Sequence, residues 1–295
     1  MTLPGDSYDK QLIENCHPPD WANPIPAKKY NLVVVGGGTA GLVTAAGAGG
    51  LGAKVALIER NLLGGDCLNV GCVPSKAVIR AARAAYESRS GAEFGVKFPA
   101  APNIDFAAAM ERMRRLRAGI SEHDSAQRFR DLGVDVFIGS GRFIDRATIE
   151  VEGRKLKFNR AVIATGARPA EPPSAGLREL GYYTNETIFT LTALPKRLAV
   201  IGAGPIGCEL AQSFQRFGSA VTLLTDGTEI LPREDGDAAA IVRRQIEQDG
   251  VKIMTGAKIH SVARKNGAQC LSVSLATGAI EVQCDALLVA IGRTP

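Results

Sequence analysis

The hydrophobic positions of the chain gather in short, uninterrupted runs. Two of these runs, at 30–35 and 54–58, are rich in valine, leucine and isoleucine, and an alanine- and glycine-rich segment lies between them. Continuous apolar runs of this length are typical of strands that are buried on both faces of a parallel sheet. The pattern therefore predicts a strand–helix–strand unit near the start of the chain.

The same pattern occurs a second time. Apolar runs at 197–201 and 220–224 enclose a helix that we predict at 208–217. Each unit also closes with an apolar run that leads into a glycine, at 161–166 and at 287–292. Strands that alternate with helices in this way predict an α/β fold of two doubly wound units. One unit is expected to be inserted along the chain among the paired elements of the other.

A glycine-rich turn follows the first predicted strand of each unit. It has the sequence Gly-Gly-Gly-Thr-Ala-Gly at 36–41 and Gly-Ala-Gly-Pro-Ile-Gly at 202–207, and both match Gly-x-Gly-x-x-Gly. The motif is weak alone, but here a predicted strand precedes it and a predicted helix follows it. Such glycines let the backbone approach a pyrophosphate, and the helix N-terminus supplies N–H donors and partial positive charge. We therefore predict two Rossmann-like domains that each bind a dinucleotide.

The two units differ at the end of their second strands. Glu59 lies 23 positions after Gly36, and we expect its carboxylate to accept hydrogen bonds from ribose hydroxyls. The equivalent residue of the second unit is Thr225, 23 positions after Gly202, and Asp226 follows it. Because the second unit has no acid at this position, it has room for a 2′-phosphate. The pattern slightly favours NADPH over NADH, although no arginine is adjacent.

Cys67 and Cys72 are the candidates for chemistry. In a regular helix, five residue steps would separate them by about 7.5 Å along the axis, whereas a disulfide requires Cα atoms within about 7 Å. The backbone must therefore leave helical geometry if the pair is to close, and Asn69 and Gly71 tolerate such conformations. The spacing alone does not separate a redox pair from two buried cysteines without a bond.

The length of the first unit indicates which of the two dinucleotides binds in the same domain as the cysteines. Gly36 and Gly166 are 130 positions apart, but Gly202 and Gly292 are only 90 apart. The additional 40 residues hold the cysteine segment and the helices after it, so the thiol pair belongs to the first domain. A flavin can exchange electrons with a disulfide. We therefore predict FAD as the first cofactor and NADP or NAD as the second.

Composition narrows the functional classes. The 295 residues suffice for two domains, and the net charge of +5 is modest. Arginines gather between Arg112 and Arg130, and we interpret them as the solvated face of an amphipathic helix, because the aromatics that would stack on nucleic acid are scarce. No apolar run approaches the roughly 18 residues of a membrane span, and the N-terminus lacks the features of a signal peptide. We expect a cytoplasmic protein with neither nucleic acid nor membrane as a partner. The remaining cysteines are interpreted as packing residues, namely Cys16, Cys208, Cys270 and Cys284.

Together these segments resemble the class I pyridine nucleotide-disulfide oxidoreductases, a family that includes dihydrolipoamide dehydrogenase, glutathione reductase and mercuric reductase. The resemblance covers about residues 28–295 and depends on GGGTAG, GGDCLNVGCVPSK, ATGARP, IGAGPIGCELAQ and AIGRTP. The cysteine segment and the lead-in PPDWANP at 18–24 are most similar to mercuric-reductase-like members. The resemblance implies a redox-active disulfide between Cys67 and Cys72 that receives electrons from NAD(P)H through FAD. The small-molecule substrate would be Hg(II), a disulfide or a dithiol.

The resemblance also implies roles for individual residues. Cys72 matches the thiol beside the flavin, and Cys67 matches the interchange thiol that meets the substrate. Lys76 matches a lysine at the flavin, and Glu209 matches an acid near the nicotinamide that can pair with that lysine. These four are the predicted catalytic residues, and no metal-binding residue is predicted. The predicted cofactor-binding residues are Gly36, Gly38, Thr39, Ala40, Gly41, Glu59, Arg60, Gly65, Asp66, Lys76, Gly141, Ala164, Thr165, Gly166, Gly202, Gly204, Pro205, Ile206, Gly207, Glu209, Thr225, Ile259 and Gly292.

Three departures from the family pattern affect these expectations, and the first is Thr225 in the second unit, described above. The family usually has threonine before the first cysteine, where this chain has Asp66, and a carboxylate there disfavours the Cys67 thiolate unless a hydrogen bond or a cation compensates. The family also continues beyond the segment that ends here at Pro295, with an interface domain that carries a His/Glu acid–base pair.

These departures determine which domains we expect in this chain, and they leave alternative functions open. We expect an N-terminal extension at 1–27, an FAD-binding domain at 28–170 and an NAD(P)-binding domain at 171–295, without the interface domain. The parent protein would be a homodimer, and this chain a weak dimer or a monomer. One alternative is a truncated FAD- and NAD(P)-binding module without full turnover. Another is activity like that of dihydrolipoamide dehydrogenase or glutathione reductase in the parent protein.

Overall fold

Both predicted nucleotide-binding units form parallel sheets in the computed structural model, which describes residues 3–97, 100, 102–172, 176–265 and 267–295. The chain divides into two compact units. The N-terminal unit comprises Leu3–Pro74 and Met113–Ala167, and the C-terminal unit comprises Ser75–Arg112 and Arg168–Thr294. The domain bounds 28–170 and 171–295 remain predictions, because they divide the chain by cofactor and the compact units divide it by contacts. Residues 1 and 2 of the predicted extension lie outside the described residues.

Helices and strands alternate at residues 7–69 and 168–254, and elsewhere elements of one kind follow one another. The helices are α1 (Ser7–Cys16), α2 (Thr39–Gly50), α3 (Gly65–Asn69), α4 (Cys72–Ser90), α5 (Phe106–Ser121), α6 (Ala126–Asp131), α7 (Leu177–Leu180), α8 (Pro205–Phe217) and α9 (Gly236–Gln248). The strands are β1 (Tyr30–Val35), β2 (Val55–Glu59), β3 (Asp135–Ile138), β4 (Arg142–Asp145), β5 (Thr148–Val151), β6 (Arg154–Ile163), β7 (Arg168–Pro169), β8 (Arg197–Ile201), β9 (Ala220–Leu224), β10 (Lys252–Met254), β11 (Lys258–Lys265), β12 (Ala268–Leu275), β13 (Gly278–Cys284), β14 (Ala286–Val289) and β15 (Arg293–Thr294). Short 3₁₀ helices lie at Gly91–Phe94, Glu122–Asp124 and Ile188–Thr190.

The sheet of the N-terminal unit has the strand order β3-β2-β1-β6-β5-β4 within the described residues. The first four strands are parallel, and Val33 of β1 pairs with Ala56 on one side and Ala161 on the other. Strand β6 is longer than the predicted run at 161–164, because its first half forms an antiparallel hairpin with β5. The centre of the sheet is apolar and inaccessible to solvent, as expected for strands covered on both faces.

The segment before β1 is packed onto the N-terminal unit. Leu12 and Cys16 of α1 are fully buried in the same core as Val34. Further along, the Asn23 side chain donates to the Ile138 carbonyl at 2.8 Å and accepts from the Ile138 N–H at 2.7 Å. These two bonds satisfy backbone groups at the edge strand β3, which would otherwise be open to another strand.

The interpretation of the arginine-rich segment was wrong for two residues. Arg114 and Arg117 of α5 are only 8% and 2% exposed, and they do not belong to a solvated face. They form ion pairs with Asp6 and Asp9, which lie at the start of α1. A guanidinium avoids burial unless it is paired, and the acids that pair with these two are more than 100 residues away along the chain.

The C-terminal unit contains a parallel sheet in the order β10-β9-β8-β14, in which Ala199 of β8 pairs with Thr222 and Leu287. A three-stranded antiparallel sheet, β11-β12-β13, packs its apolar side chains into the same core. Helix α8 starts at Pro205 and not at the predicted residue 208, because proline is well suited to a first helical turn. No helix of the described residues is long and apolar enough to span a membrane.

Candidate functional site

The first glycine turn joins β1 to α2 and has no room for side chains at two of its positions. A Cβ atom on Gly36, whose φ is +109°, would lie 2.2 Å from the carbonyl oxygen of Ala164. A Cβ on Gly41 would lie 1.8 Å from the carbonyl oxygen of Gly36. The N-cap of α2 is Gly38, which has no side chain to satisfy the first N–H groups of the helix. The arrangement suits an anion such as a pyrophosphate.

The segment that carries the cysteines starts against this turn. Gly64 donates to the Gly37 carbonyl at 2.9 Å and forms an isolated bridge with Gly38. A Cβ on Gly65 would lie 2.5 Å from the Gly38 Cα, so the two glycine segments touch through their backbones. The structure therefore places the predicted residues Gly65 and Asp66 beside the predicted turn.

Glu59 makes contacts that the sequence did not indicate. Its Oε2 accepts from the Gly37 N–H and its Oε1 accepts from the Asn61 N–H, both at 2.6 Å. The carboxylate thus holds the glycine turn at the end of β2. Each carboxylate oxygen has a further lone pair, so these bonds leave capacity for ribose hydroxyls.

The other residues predicted for this site lie at the ends of neighbouring strands. Gly141 packs against β2, since a Cβ on it would lie 3.2 Å from the Ile58 side chain. Thr165 and Gly166 are exposed directly after β6, and Arg60 is exposed directly after β2. Thr39 and Ala40 form the first turn of α2. All of these residues belong to the N-terminal unit.

The two cysteines lie on separate helices, as the spacing argument required. Cys67 is in α3, Cys72 begins α4, and the helix is interrupted between them at Val70 and Gly71. Gly71 packs against the preceding turn, where a Cβ would lie 2.8 Å from the Asp66 carbonyl oxygen. Both cysteines are thiols in the structure; Cys67 is half-buried and Cys72 is exposed.

The environment of Cys67 disfavours its thiolate. Burial raises the pKa of Cys67, and a hydrogen bond with the Cys72 thiol and the charge of Cys72 raise it further. A hydrogen bond with Thr39 lowers this pKa, whereas the carboxylate of Asp124 raises it. These effects together lower the fraction of Cys67 that is thiolate, the form in which a cysteine is a nucleophile.

Asp124 is a residue of this region that sequence reasoning missed. It is half-buried, and a Cβ on Gly64 would lie 3.0 Å from its Oδ2. Burial raises the pKa of Asp124, although Arg128 and His123 oppose the shift. The residue belongs to none of the motifs and lies in a 3₁₀ turn after α5, so no sequence signal could have identified it.

The second glycine turn repeats the first. A Cβ on Gly202 would lie 2.4 Å from the Ala290 carbonyl oxygen, and a Cβ on Gly207 would lie 1.9 Å from the Gly202 carbonyl oxygen. Gly204 caps α8 without a side-chain bond, and Pro205 and Ile206 follow in the first helical turn. Gly292 has a φ of +131° just after β14. This turn therefore offers a second anion site at a helix N-terminus.

Lys76 and Glu209 are brought together. Lys76 Nζ lies 3.0 Å from Glu209 Oε1, and the two side chains are 62% and 38% exposed. Lys76 lies one helical turn after Cys72 on α4, and Glu209 lies near the start of α8, just past the second glycine turn. An exposed pair such as this contributes little to stability, so its position is the informative feature.

The remaining predicted residues of the C-terminal unit have other neighbours. The Thr225 hydroxyl accepts from the Gly227 N–H at 3.2 Å, in the turn after β9. Asp226, next to it, is exposed. Ile259 of β11 is half-buried and packs against the core of the unit, and its role at the cofactor stays a prediction.

The cysteines outside the pair have the character of packing residues. Cys16, Cys208, Cys270 and Cys284 are all at most 4% exposed. Burial raises the pKa of Cys16 to about 12 and those of Cys208 and Cys284 to about 11. Thiols of this kind are chemically inert at neutral pH, and the interpretation of these residues as packing residues is confirmed.

Comparisons with known proteins give a consistent assignment. Mercuric reductase from Shigella flexneri is 37% identical over 278 residues, which are 90% of this chain and 48% of that protein. Mercuric reductase from Lysinibacillus sphaericus is 34% identical over 266 residues, with 90% and 48% covered. Dihydrolipoyl dehydrogenase from Thermus scotoductus is 34% identical over 273 residues, with 91% and 58% covered. The chain spans about half the length of the curated relatives it matches.

Solved structures have the same fold. The HOCl-induced flavoprotein disulfide reductase RclA from Escherichia coli matches with a TM-score of 0.78 and 29% identity, over 90% of this chain and 57% of that one. Its Cu(II) complex matches with a TM-score of 0.77 and 29% identity, over 91% and 58%. The sequence model of the family described as pyridine nucleotide-disulphide oxidoreductase matches residues 30–295. With two glycine turns, a paired CxxxxC motif and a family match over nine-tenths of its length, the chain belongs to the pyridine nucleotide-disulphide oxidoreductase family.

Proposed function

We propose that the chain is the nucleotide-binding part of a flavin-dependent reductase that uses NAD(P)H and the Cys67–Cys72 pair to reduce Hg(II) or a disulfide. The observation that supports this most directly is the thiol pair itself. Two hydrogen-bonded thiols lie in a segment whose first residues touch a glycine turn suited to a pyrophosphate. A disulfide between them would be a two-electron acceptor placed in the domain of the first dinucleotide.

The residues of the first turn fit the diphosphate of FAD. Gly36 and Gly41 lack the space for a Cβ, and Gly38 leaves the N–H groups at the start of α2 without a side-chain acceptor. Glu59 holds this turn and has lone pairs for a ribose. The second turn, at Gly202–Gly207, repeats these features and fits the diphosphate of a nicotinamide dinucleotide. When bound, the two cofactors supply the electron pair that opens a disulfide or reduces a metal ion.

The protein's own contribution concerns thiols and protons. Cys67, as the interchange thiol, would attack a substrate disulfide or bind Hg(II), and both reactions need the thiolate. Two soft sulfur ligands suit Hg(II). Burial raises the pKa of Cys67, so a neighbouring group that takes its proton would increase the thiolate fraction. Lys76, one helical turn from Cys72 and paired with Glu209, is the proposed cation of the flavin site.

The second dinucleotide is proposed to be NADPH. Support comes from Thr225, which stands where an NADH site usually has an acid, and whose hydroxyl is engaged by Gly227. The ratio of kcat/KM for NADPH to that for NADH measures this preference directly. A ratio below one contradicts the proposal. The cytoplasmic location and the homodimeric parent protein also remain predictions.

The first experiment is spectroscopic. We expect the purified chain, incubated with FAD and then freed of unbound FAD, to stay yellow and to gain a long-wavelength absorbance band when NADPH is added anaerobically. Cys72→Ser should abolish the band and leave FAD bound, because Cys72 is the thiol assigned to the flavin. Cys67→Ser is the matched control, since it removes the other thiol of the pair and leaves Cys72 in place. A protein that is colourless once unbound FAD has been removed contradicts the proposal.

A second candidate differs in the substrate. The dihydrolipoyl dehydrogenase relative is as similar to this chain as one of the mercuric reductases, at 34% identity, which supports a dithiol or lipoamide substrate equally. NADPH oxidation measured with Hg(II), with lipoamide and with oxidised glutathione separates these candidates. Reduction of the bound FAD without turnover of any of the three would support a cofactor-binding module.

A further inference from the structure

The turn between Cys67 and Cys72 is held by a side chain from a distant helix. Arg117 of α5 donates from Nη1 to the carbonyl oxygen of Asn69 at 3.0 Å. The same guanidinium donates from Nη2 to Asp9 Oδ1 at 2.8 Å. Arg117 is 2% exposed and Asp9 is 1% exposed. One buried cation therefore joins the N-terminal helix to the turn that separates the two thiols.

The carboxylate fixes the position of the guanidinium. Burial lowers the pKa of Arg117 and the charge of Asp9 raises it, and arginine keeps its charge in proteins. A buried charge requires a partner, so Arg117 cannot move away from Asp9 without cost. Asp9 is itself held, because Oδ2 accepts from the Gly5 N–H at 3.0 Å and Leu12 anchors α1 in the core.

Asn69 is the point at which the turn is held from both sides. Its side-chain Nδ2 donates to the carbonyl oxygens of Leu63 at 3.1 Å and Gly65 at 2.8 Å. Its backbone carbonyl, at the C-terminal end of α3, receives the Arg117 bond. The last carbonyls of a helix have no partner within that helix. The Arg117 guanidinium therefore donates to a carbonyl that has no donor within α3, at the interruption between α3 and α4.

We propose that Arg117, fixed by Asp9, is a positioning residue that holds the turn in the conformation in which the Cys67 and Cys72 thiols meet. The proposal rests on the redox function proposed above. When the turn is held, the two sulfurs are close in most molecules, which favours their disulfide over the dithiol. The family match begins at residue 30, so Asp9 lies outside the part of the chain that the family describes.

The equilibrium with glutathione measures this effect. The Cys67 and Cys72 thiols form one disulfide bond and give up two electrons and two protons to oxidised glutathione, whose own disulfide breaks to yield two molecules of reduced glutathione. The titration needs neither FAD nor nicotinamide, so it remains informative if the flavin function fails. The state of the pair is determined by trapping the thiols with an alkylating agent and weighing the peptide that contains residues 67–72.

Two substitutions at one position separate positioning from stability. Arg117→Lys keeps a cation for Asp9 but lacks the fork that reaches Asn69 as well. We expect Arg117→Lys to lower the equilibrium constant for the disulfide about tenfold, which is ~30 mV for this two-electron couple. The lost bond to the buried Asn69 carbonyl also lowers the urea midpoint, so the constant is measured without urea, where the variant is folded. Arg117→Gln should lower the constant at least as much, and if it does not fold, the lysine variant decides the outcome.

The neighbouring ion pair provides the matched control. Arg114 also extends from α5 to α1, but its Nε donates to the Asp6 carboxylate and so does not join α1 to the turn. Arg114→Gln therefore removes an ion pair between the same two helices without removing the bond to Asn69, and its equilibrium constant should change by less than about twofold. An unchanged constant in Arg117→Lys overturns the proposal, as does a shift in Arg114→Gln equal to that in Arg117→Lys.

Discussion

Replacing one glycine of α2 should impair FAD binding, whereas replacing another in the same helix should not. Gly41 lies in the first turn of the helix, where a Cβ would stand 1.8 Å from the Gly36 carbonyl oxygen. Gly47 lies about two turns further along, is exposed, and would place its Cβ in open space. Gly41→Ala and Gly47→Ala therefore add the same methyl group to the same helix in opposite surroundings.

The magnitudes follow from this geometry. Real Cβ contacts are essentially never shorter than 3.0 Å, so the Gly41 methyl must push the glycine turn away by about 1.2 Å. Overpacking of this kind lowers the free energy of unfolding by about 1–3 kcal/mol. The better helix propensity of alanine raises it by about 1 kcal/mol. Gly47→Ala has only the gain, so it should raise the free energy of unfolding by about 0.5–1 kcal/mol.

Two titrations test this reasoning. Urea denaturation gives the free energy of unfolding of each variant, and quenching of FAD fluorescence gives its dissociation constant. We expect Gly41→Ala to weaken FAD binding by at least about tenfold, corresponding to ~1.4 kcal/mol, because its backbone N–H groups are displaced from the diphosphate. Gly47→Ala should bind FAD as the native chain does. The reasoning is refuted if Gly41→Ala binds FAD normally, or if Gly47→Ala loses FAD to the same extent.

Two further predictions concern charged residues. Asp124→Asn removes a carboxylate that raises the pKa of Cys67, so the pH profile for alkylation of Cys67 by iodoacetamide should shift to lower pH, with a rate about two- to fivefold higher near neutrality. This variant should not be destabilised at pH 7, because burial already raises the pKa of Asp124 and ionising it in the fold is costly; an unshifted profile contradicts the assignment. Glu209→Gln should change the free energy of unfolding by less than about 1 kcal/mol, since its pair with Lys76 is exposed, and should slow flavin reduction by NADPH about tenfold in stopped-flow absorbance. If the free energy of unfolding of Glu209→Gln falls by as much as the activation free energy of flavin reduction rises, the role of Glu209 is structural.

The parallel strands were predictable because their burial leaves continuous runs of apolar residues in the sequence. The predicted runs at 30–35, 197–201 and 220–224 coincide with β1, β8 and β9. A strand covered on both faces is apolar at most of its positions, and the sequence records this directly. The antiparallel strands β11, β12 and β13 were not predicted. They carry polar residues at the positions that face solvent, and the alternation is too short and irregular to stand out.

The candidate site divides in a similar way. The glycine turns and the cysteine pair were found because a requirement of the backbone or of sulfur chemistry leaves a local motif. Glu59 was predicted to bind a ribose, which stays a prediction, but its bonds to the Gly37 and Asn61 N–H groups depend on a loop conformation that only the fold defines. Asp124 and Arg117 were missed because the groups they affect lie on other elements of the N-terminal unit.

The Asp9–Arg117 pair is difficult to explain as a stabilising device. Burying two charges costs about as much as their attraction returns, and an apolar pair of the same volume is often equally or more stable. An apolar pair would fill the space between α1 and α5 but could not donate a hydrogen bond to the Asn69 carbonyl. This carbonyl belongs to the backbone and is present whatever side chain residue 69 carries. The bond to the Asn69 carbonyl, in the turn between the thiols, is what the guanidinium provides and an apolar pair does not. The pair therefore joins α1 to that turn, and under our proposal α1 is part of the support of the two thiols and not a separate extension.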